Sequence, residues 1–292
     1  MLSDLIQGNI GNCYLIATLG SVLEADPTFI QKHMKDNGDG TVTVKLYTEN
    51  FFGEGYSPTY VTVDKTIAYN NEGRMVGSMG ALWVKLYEKA IAAAGIKQSF
   101  FSAYNINLLD GGNSQYALGW ITGKRGKDDL ENLSTGGGET CFQMPSNWKY
   151  RDKKTNKIGY TNTFLHRVEN VKKKLKKMLD RKAIVVAGAF RNLAGSPGVG
   201  KNGENVRRGI AGQHSYTVLN MEEINGETYV RIRNPWGVGV VETVQNELTG
   251  KIFIREADSD IYHGSCLLHI NTFVEHCYSL NYVLKGDVEG MK

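Results

Sequence analysis

The most informative part of the chain is residues 7–15, which read Gln-Gly-Asn-Ile-Gly-Asn-Cys-Tyr-Leu. Cys13 stands where a turn rich in glycine and asparagine gives way to an apolar run. The unpaired N–H groups and the dipole of a helix N-terminus stabilise a thiolate, which is the reactive form of cysteine. The stretch therefore predicts a nucleophilic Cys13 at the start of a helix, with the Gln7 amide as a donor to an oxyanion. A small buried structural cysteine is the alternative interpretation of this fragment taken alone.

The composition excludes several classes of protein. The chain has 292 residues, 22% of them charged, and its net charge of +4 gives no indication of a nucleic-acid partner. No apolar run approaches membrane-spanning length, and no signal-peptide pattern is visible in residues 1–292. The cysteines are far apart and form no Cys-x-x-Cys pair, which argues against a disulfide framework and a zinc site; they are Cys13, Cys141, Cys266 and Cys277.

Periodicity predicts a helix-dominated first half and a strand-dominated second half. This order favours an α+β fold with two lobes and a cleft between them: a helical lobe over residues 1–122 and a β-rich lobe over residues 123–292. The polar, glycine-rich stretch at about 123–162 is interpreted as a long surface insertion. Helices are predicted over 12–24, 81–94 and 164–182, and strands over 41–47, 60–64, 183–190, 214–220, 228–234 and 265–271.

Residues 195–202, Gly-Ser-Pro-Gly-Val-Gly-Lys-Asn, nearly spell a phosphate-binding loop. Asn202 replaces the expected Ser or Thr, and no helical period follows, so nothing supplies the helix N-terminus that a phosphate needs. We expect a mobile loop beside the active site instead of a nucleotide site.

Two later motifs complete a catalytic set. His214 opens a predicted strand, and Asn234 closes another just before Pro235. A thiol nucleophile needs a base within hydrogen-bond reach, and the imidazole needs a partner that fixes its orientation. The sequence thus predicts a Cys13–His214–Asn234 triad, with Trp236 shielding the His–Asn hydrogen bond from water. A neutral asparagine suffices because the thiol and the imidazole are expected to form an ion pair already.

With these residues, the chain resembles the calpain family of cysteine proteases, within the papain-like superfamily, over nearly its whole length. The resemblance implies the papain-like two-lobed fold and a cysteine endopeptidase that hydrolyses proteins or peptides through an acyl-enzyme intermediate. It assigns the nucleophile to Cys13, the base to His214, the orienting residue to Asn234 and the oxyanion donor to Gln7. Residues 82–90 resemble a segment of the first lobe and residues 267–273 the closing strand; substrate contacts are expected at Gly111, Gly112, Gln213 and Trp236.

The resemblance also implies calcium activation, and no organic cofactor is expected. Asp4 and Glu88 match the carboxylate ligands of the family's first-lobe calcium site, and oxygen ligands of this kind suit calcium. Three positions depart from the family pattern: Tyr14 replaces a tryptophan, Asn12 an aspartate and Gln213 a glycine, the last narrowing the cleft. The absence of an EF-hand pattern indicates a minimal member of the family, of microbial type.

Other interpretations remain open at this point. A papain-like acyl transferase would use the same triad, and a catalytically silent calpain-like binding module would use none of it. No membrane span and no nucleic acid are expected. Because the nucleophile motif begins at residue 7, we expect that an upstream segment has been removed, so cytoplasmic and secreted or cell-surface locations both fit. Natural substrates and oligomeric state have no signature in the sequence.

Overall fold

The computed structural model describes residues 1–50, 55–95, 106–128, 149–154, 158–189, 194–199, 205–238, 241–245, 252–256 and 264–291. Its helices are α1 Cys13–Ala25, α2 Phe29–His33, α3 Leu82–Ala93, α4 Ser114–Thr122, α5 Asn162–Asp180 and α6 Ile270–His276. Its strands are β1 Met34–Asp36, β2 Thr41–Glu49, β3 Tyr56–Asp64, β4 Lys127–Asp128, β5 Lys149–Arg151, β6 Ile158–Tyr160, β7 Ile184–Ala189, β8 Ala194–Val199, β9 Asn205–Ile210, β10 His214–Ile224, β11 Glu227–Arg233, β12 Val241–Gln245, β13 Ile252–Glu256, β14 Ser265–His269 and β15 Cys277–Val283.

The strands form antiparallel sheets of very different size. A three-stranded sheet, β1-β2-β3, lies in the first half of the chain. A six-stranded sheet has the order β14-β11-β10-β7-β15-β4, and a four-stranded sheet has the order β13-β12-β9-β8. β5 and β6 form a hairpin. Helices and antiparallel sheets thus occur together, and the predicted α+β class is confirmed.

Two apolar cores support the two-lobe interpretation. The first is built from α1, α3, α4 and the inner face of β2. The second joins α5 and α6 to one face of the six-stranded sheet. The first core also takes Val283, Val288 and Met291 from the end of the chain. The lobe boundary at residue 122 stays a prediction; the strands expected over 41–47 and 60–64 correspond to β2 and β3.

Helix α1 lies between the small first-lobe elements and the large sheet. Each residue from Tyr14 to Leu23 is buried, which explains why the predicted apolar run has no polar face. Two side-chain hydrogen bonds join the helix to the sheet: Thr217 Oγ1 donates to the Ala17 carbonyl at 2.8 Å, and Ser21 Oγ donates to the Val185 carbonyl at 2.6 Å. These contacts bring the beginning of α1 to the beginning of β10, where Cys13 and His214 lie.

Two predicted elements differ in the structure. The expected loop at 195–202 is, over its described residues, strand β8 paired with β9, since Gly and Pro residues do not prevent edge pairing in a hairpin. The predicted strand over 265–271 ends at His269, and the segment likened to a closing strand continues as α6. There the His269 side chain accepts a hydrogen bond from Asn271 N at 3.2 Å, and apolar residues recur at helical spacing in Ile270, Phe273 and Val274.

The predicted surface insertion at about 123–162 falls partly outside the described residues, at 129–148 and 155–157. Its described parts contain β4, β5, β6 and the first residue of α5. Among the helices of the described residues, none combines the length and apolar character needed to cross a membrane.

Candidate active site

Cys13 is the first residue of α1, as the sequence predicts. Burial raises the pKa of its thiol above the usual range. Hydrogen bonding to the backbone and side chain of Ser215, and to the backbone of Tyr14 and of Cys13 itself, lowers the pKa and offsets part of this effect. The start of α1 thus contributes hydrogen bonds that lower the pKa of the Cys13 thiol, but desolvation raises this pKa by more in this arrangement.

His214 and Asn234 form a hydrogen-bonded pair. His214 Nε2 and Asn234 Oδ1 are 2.9 Å apart, and both side chains are buried. Asn234 Oδ1 also accepts from the Trp236 backbone N–H at 3.0 Å. Because a backbone N–H can only donate, this contact assigns the amide oxygen, and His214 Nε2 must then be the donor to it. The neutral imidazole thus has its proton on Nε2 and an unprotonated Nδ1.

The Trp236 indole covers this pair. Its ring centroid lies 4.3 Å from that of His214, with the planes tilted by 39°. Tyr216 lies against the same imidazole edge-on, at 5.0 Å. The two aromatic rings remove much of the water from around His214, and this burial lowers its pKa to about 4 although the Asn234 hydrogen bond opposes the shift.

The thiol and the imidazole do not form the predicted ion pair here. The only hydrogen bond of the His214 ring within the described residues is the one to Asn234, and none joins it to Cys13. A thiol with a raised pKa and an imidazole with a lowered pKa are both neutral near pH 7. Burial of both groups disfavours the preformed ion pair in this arrangement, and burial is not evident from the sequence.

Gln7 is fixed against both motifs. Its backbone N–H donates to the Pro235 carbonyl at 2.8 Å, which ties the nucleophile segment to the Asn-Pro-Trp-Gly turn. Its side-chain Nε2 donates to the Ile10 carbonyl at 2.8 Å, inside the turn that precedes Cys13. One of the two hydrogens on Gln7 Nε2 is therefore used within the protein. Only the second hydrogen can make the predicted donation to an oxyanion.

The predicted substrate-contact residues border the same region. Gly112 packs so closely on Tyr14 that a Cβ there would lie 2.4 Å from the phenol ring, so only glycine fits. Gly111 has a positive φ of 63° and donates its N–H to the Gly11 carbonyl at 2.9 Å. Gln213 is exposed and has φ of 51°, a backbone region that favours the glycine expected from the resemblance. Their contacts with a substrate stay predictions.

Asp4 and Glu88 have separate partners. Asp4 Oδ2 accepts from Trp83 Nε1 at 2.9 Å and from the terminal ammonium at 2.6 Å. Glu88 is fully buried; one of its oxygens accepts from Ser78 N at 2.8 Å, and the other accepts from the Asn12 side-chain amide. N–H donors thus occupy both Glu88 oxygens, and no group of three or more metal-binding side chains occurs in the described residues. Calcium binding by Asp4 and Glu88 stays a prediction.

Sequence reasoning missed two serines at the site. Ser215 follows His214 and is the polar side chain next to the thiol. Ser114, the first residue of α4, donates to Ser215 Oγ at 3.4 Å. Strand alternation could have indicated Ser215, because alternate residues of a strand lie on one face. Ser215 therefore shares with Thr217 the face of β10 that α1 covers.

Comparisons with known proteins show the family to which this chain belongs. A family model described as calpain family cysteine protease matches residues 1–243. The chain is 25% identical over 241 residues to the calpain-type cysteine protease DEK1 of Zea mays, and equally to the calpain-type cysteine protease ADL1 of Oryza sativa subsp. japonica. Each match covers 80% of this chain but only 9% of the plant protein. The chain belongs to the calpain family of cysteine proteases.

Proposed function

We propose that this chain is a cysteine endopeptidase that hydrolyses peptide bonds of proteins through Cys13, His214 and Asn234. The observation that supports the proposal best is the fixed pair of His214 and Asn234, with Nε2 and Oδ1 2.9 Å apart beside the Trp236 turn. An asparagine that holds the proton on Nε2 leaves Nδ1 as a base, which is what a thiol nucleophile requires.

The chemistry follows from these roles. His214 Nδ1 takes the thiol proton as Cys13 Sγ attacks the scissile carbonyl carbon, and the oxyanion receives hydrogen bonds from the Cys13 backbone N–H and from Gln7. The imidazolium then gives its proton to the leaving amine, which leaves an acyl-enzyme. A water molecule, deprotonated by His214, hydrolyses the thioester and regenerates the thiol. The reaction needs the thiol and Nδ1 within hydrogen-bond reach, so a small closure of the site precedes it.

The decisive variant is Cys13→Ala. We expect it to abolish cleavage of casein and of fluorogenic peptides while the far-ultraviolet circular dichroism stays unchanged, because only the nucleophile is lost. Cys266→Ala, in β14, is the matched control and should keep wild-type activity. Undiminished cleavage by Cys13→Ala would refute the assignment.

The same preparations separate the other candidate functions. An acyl transferase would incorporate a labelled amine into casein without producing new peptide fragments. A silent binding module would neither cleave nor transfer, and its Cys13 would resist iodoacetamide. Both outcomes would contradict the endopeptidase proposal.

Calcium activation is a further part of the proposal, implied by the family resemblance. Each Glu88 oxygen accepts one hydrogen bond, from Asn12 or from Ser78, which leaves a second lone pair on each oxygen for calcium. Peptide cleavage is measured across a calcium titration, with chelator controls, in wild type and Glu88→Gln. Activity that rises with calcium in wild type alone would support a metal role for Glu88, and equal activity in chelator would exclude calcium activation.

A further inference from the structure

We propose that the Ser215 hydroxyl donates a hydrogen bond to the thiolate of Cys13 and that Ser114 orients this hydroxyl. The inference rests on the proposed role of Cys13 as nucleophile. It adds a side-chain donor to a thiol whose other hydrogen bonds come from the backbone of Cys13, Tyr14 and Ser215. Ser215 touches the reacting sulfur, whereas Ser114 acts through Ser215 and is a positioning residue.

The way α1 lies along β10 brings Ser215 to the thiol. Thr217 Oγ1 donates to the Ala17 carbonyl at 2.8 Å, and this contact fixes one point of the helix against the strand. The step from Thr217 back to Ser215 along β10 spans about 6.6 Å, and the step from Ala17 back to Cys13 along α1 spans about 6.0 Å. Because the two steps nearly match, Ser215, on the same face of β10 as Thr217, comes to Cys13 on the same face of α1 as Ala17.

The sheet leaves room for this approach. Ser215 pairs across the sheet with Gly188 of β7, which has no side chain. Directly opposed residues of an antiparallel pair project from the same face, so the surface beside Ser215 is open to the start of α1. Ser215 is 9% exposed and Ser114 is 4% exposed, so water competes little for either hydroxyl.

The hydrogen bonds run in one direction. Ser114 Oγ donates to Ser215 Oγ at 3.4 Å, and this bond uses a lone pair of Ser215 Oγ. The hydroxyl hydrogen of Ser215 therefore stays available to the Cys13 sulfur. A serine hydroxyl that donates to a thiolate makes a charge-assisted bond, which is stronger than a neutral one. The contact from Ser114 is long, so we expect Ser114 to matter less than Ser215.

The remaining groups around Cys13 do not supply positive charge in this arrangement. Tyr14 on α1 and Tyr216 on β10 are uncharged near neutral pH because burial raises both pKa values. His214 is neutral because burial lowers its pKa to about 4. The carboxyl groups of Glu88 on α3 and Asp110 before α4 lie near Tyr14, the residue after Cys13, and supply no positive charge either; Asp110 accepts from the Gly11 N–H at 2.6 Å. A hydroxyl donor at Ser215 therefore offsets an otherwise unfavourable setting.

The test is the pH dependence of Cys13 alkylation by iodoacetamide, followed by mass spectrometry of the peptide that contains Cys13. In Ser215→Ala we expect the titration midpoint of the thiol to rise and the alkylation rate at pH 7 to fall about tenfold, since the removed bond is to a charged acceptor. In Ser114→Ala we expect a fall of about twofold to threefold. Ser21→Ala removes a buried α1 serine hydroxyl that bonds Val185 and Ala17 instead, and its profile should match wild type.

Peptide cleavage by the same variants separates this inference from the proposed function. An unchanged midpoint in Ser215→Ala, or an equal shift in Ser21→Ala, would overturn the role of the serine while leaving the endopeptidase assignment intact. If the midpoint rises in Ser215→Ala but the wild-type protein cleaves no peptide, the serine is supported as a thiolate donor and the peptidase assignment is rejected. With both correct, kcat/KM near neutral pH should also fall in Ser215→Ala, because the attacking sulfur loses a donor that stabilises its negative charge.

Discussion

At the scale of single residues, burial sets the protonation states of the site. His214 is enclosed by Trp236, Tyr216 and Asn234, and the desolvation of its charged form outweighs the Asn234 hydrogen bond. A neutral imidazole with a free Nδ1 is ready to accept the thiol proton. The same burial disfavours an ion pair between Cys13 and His214. The pair forms only when substrate or a conformational change alters the environment of these two side chains.

The lowered pKa of His214 predicts a pH dependence of stability. Its pKa is about 4 in the folded chain against 6.5 for an unperturbed histidine, so the unfolded chain binds the additional proton between these values. Stability is therefore lost as the pH falls from about 6.5 to 4. Wild type should lose about 2–3 kcal/mol more than His214→Gln between pH 7.5 and pH 4.5, measured by urea unfolding. Parallel losses in the two proteins would contradict the burial argument, since all other titrating groups are common to both.

At the scale of elements, α1 is positioned by close contact with β10. Gly20 of α1 lies so near Thr217 that a Cβ would approach its Oγ1 to 2.4 Å. We expect Gly20→Ala to cost about 1–3 kcal/mol through overpacking. Thr217→Ala removes the obstructing atoms, so the double variant should lose less than the sum of the two single losses. Urea unfolding measures all three.

Gly286→Ala is the matched control for this cycle, because nothing lies within 4 Å of its Cβ position. Its effect should stay within about 0.5 kcal/mol. If Gly20→Ala were equally mild, or if the two losses simply added, the helix would not rest on Thr217 as the structure indicates.

The sequence predicted those elements whose apolar period is strong and missed those defined by capping or distant pairing. Helix α1 was expected over 12–24 and is Cys13–Ala25. Helix α4 was not expected, since its start depends on the Asn113 side chain accepting from Gln115 N at 2.8 Å. Strand β15 was missed because its place between β7 and β4 is fixed by long-range pairing. The candidate triad residues were proposed from their motifs, but the protonation states of Cys13 and His214 depend on burial, which no motif encodes.

At the scale of the whole molecule, the end of the chain returns to the first core. Strand β15 leaves the large sheet, and Val288 and Met291 then pack with the first-lobe cluster. Polar contacts accompany this return: Lys45 Nζ lies 3.0 Å from Glu289 Oε2, and Lys32 Nζ donates to the Gly290 carbonyl at 3.1 Å. A segment that follows the second lobe in sequence thus packs on the first lobe and connects the two cores that flank the site.

Met291 provides the test of this connection, because its side chain is only 1% exposed in the first core. Met291→Ala should lower the free energy of unfolding by about 2–5 kcal/mol through lost burial and a residual cavity. Met79→Ala, at a methionine that is 59% exposed, is the matched control and should change stability by less than about 0.5 kcal/mol. Native-state hydrogen exchange should show the loss of protection in β2, which the first core covers, before β11 of the second. Equal unfolding midpoints for the two variants would mean that the end of the chain does not stabilise the first lobe. Strand β15 alone would then hold this end of the chain in the fold.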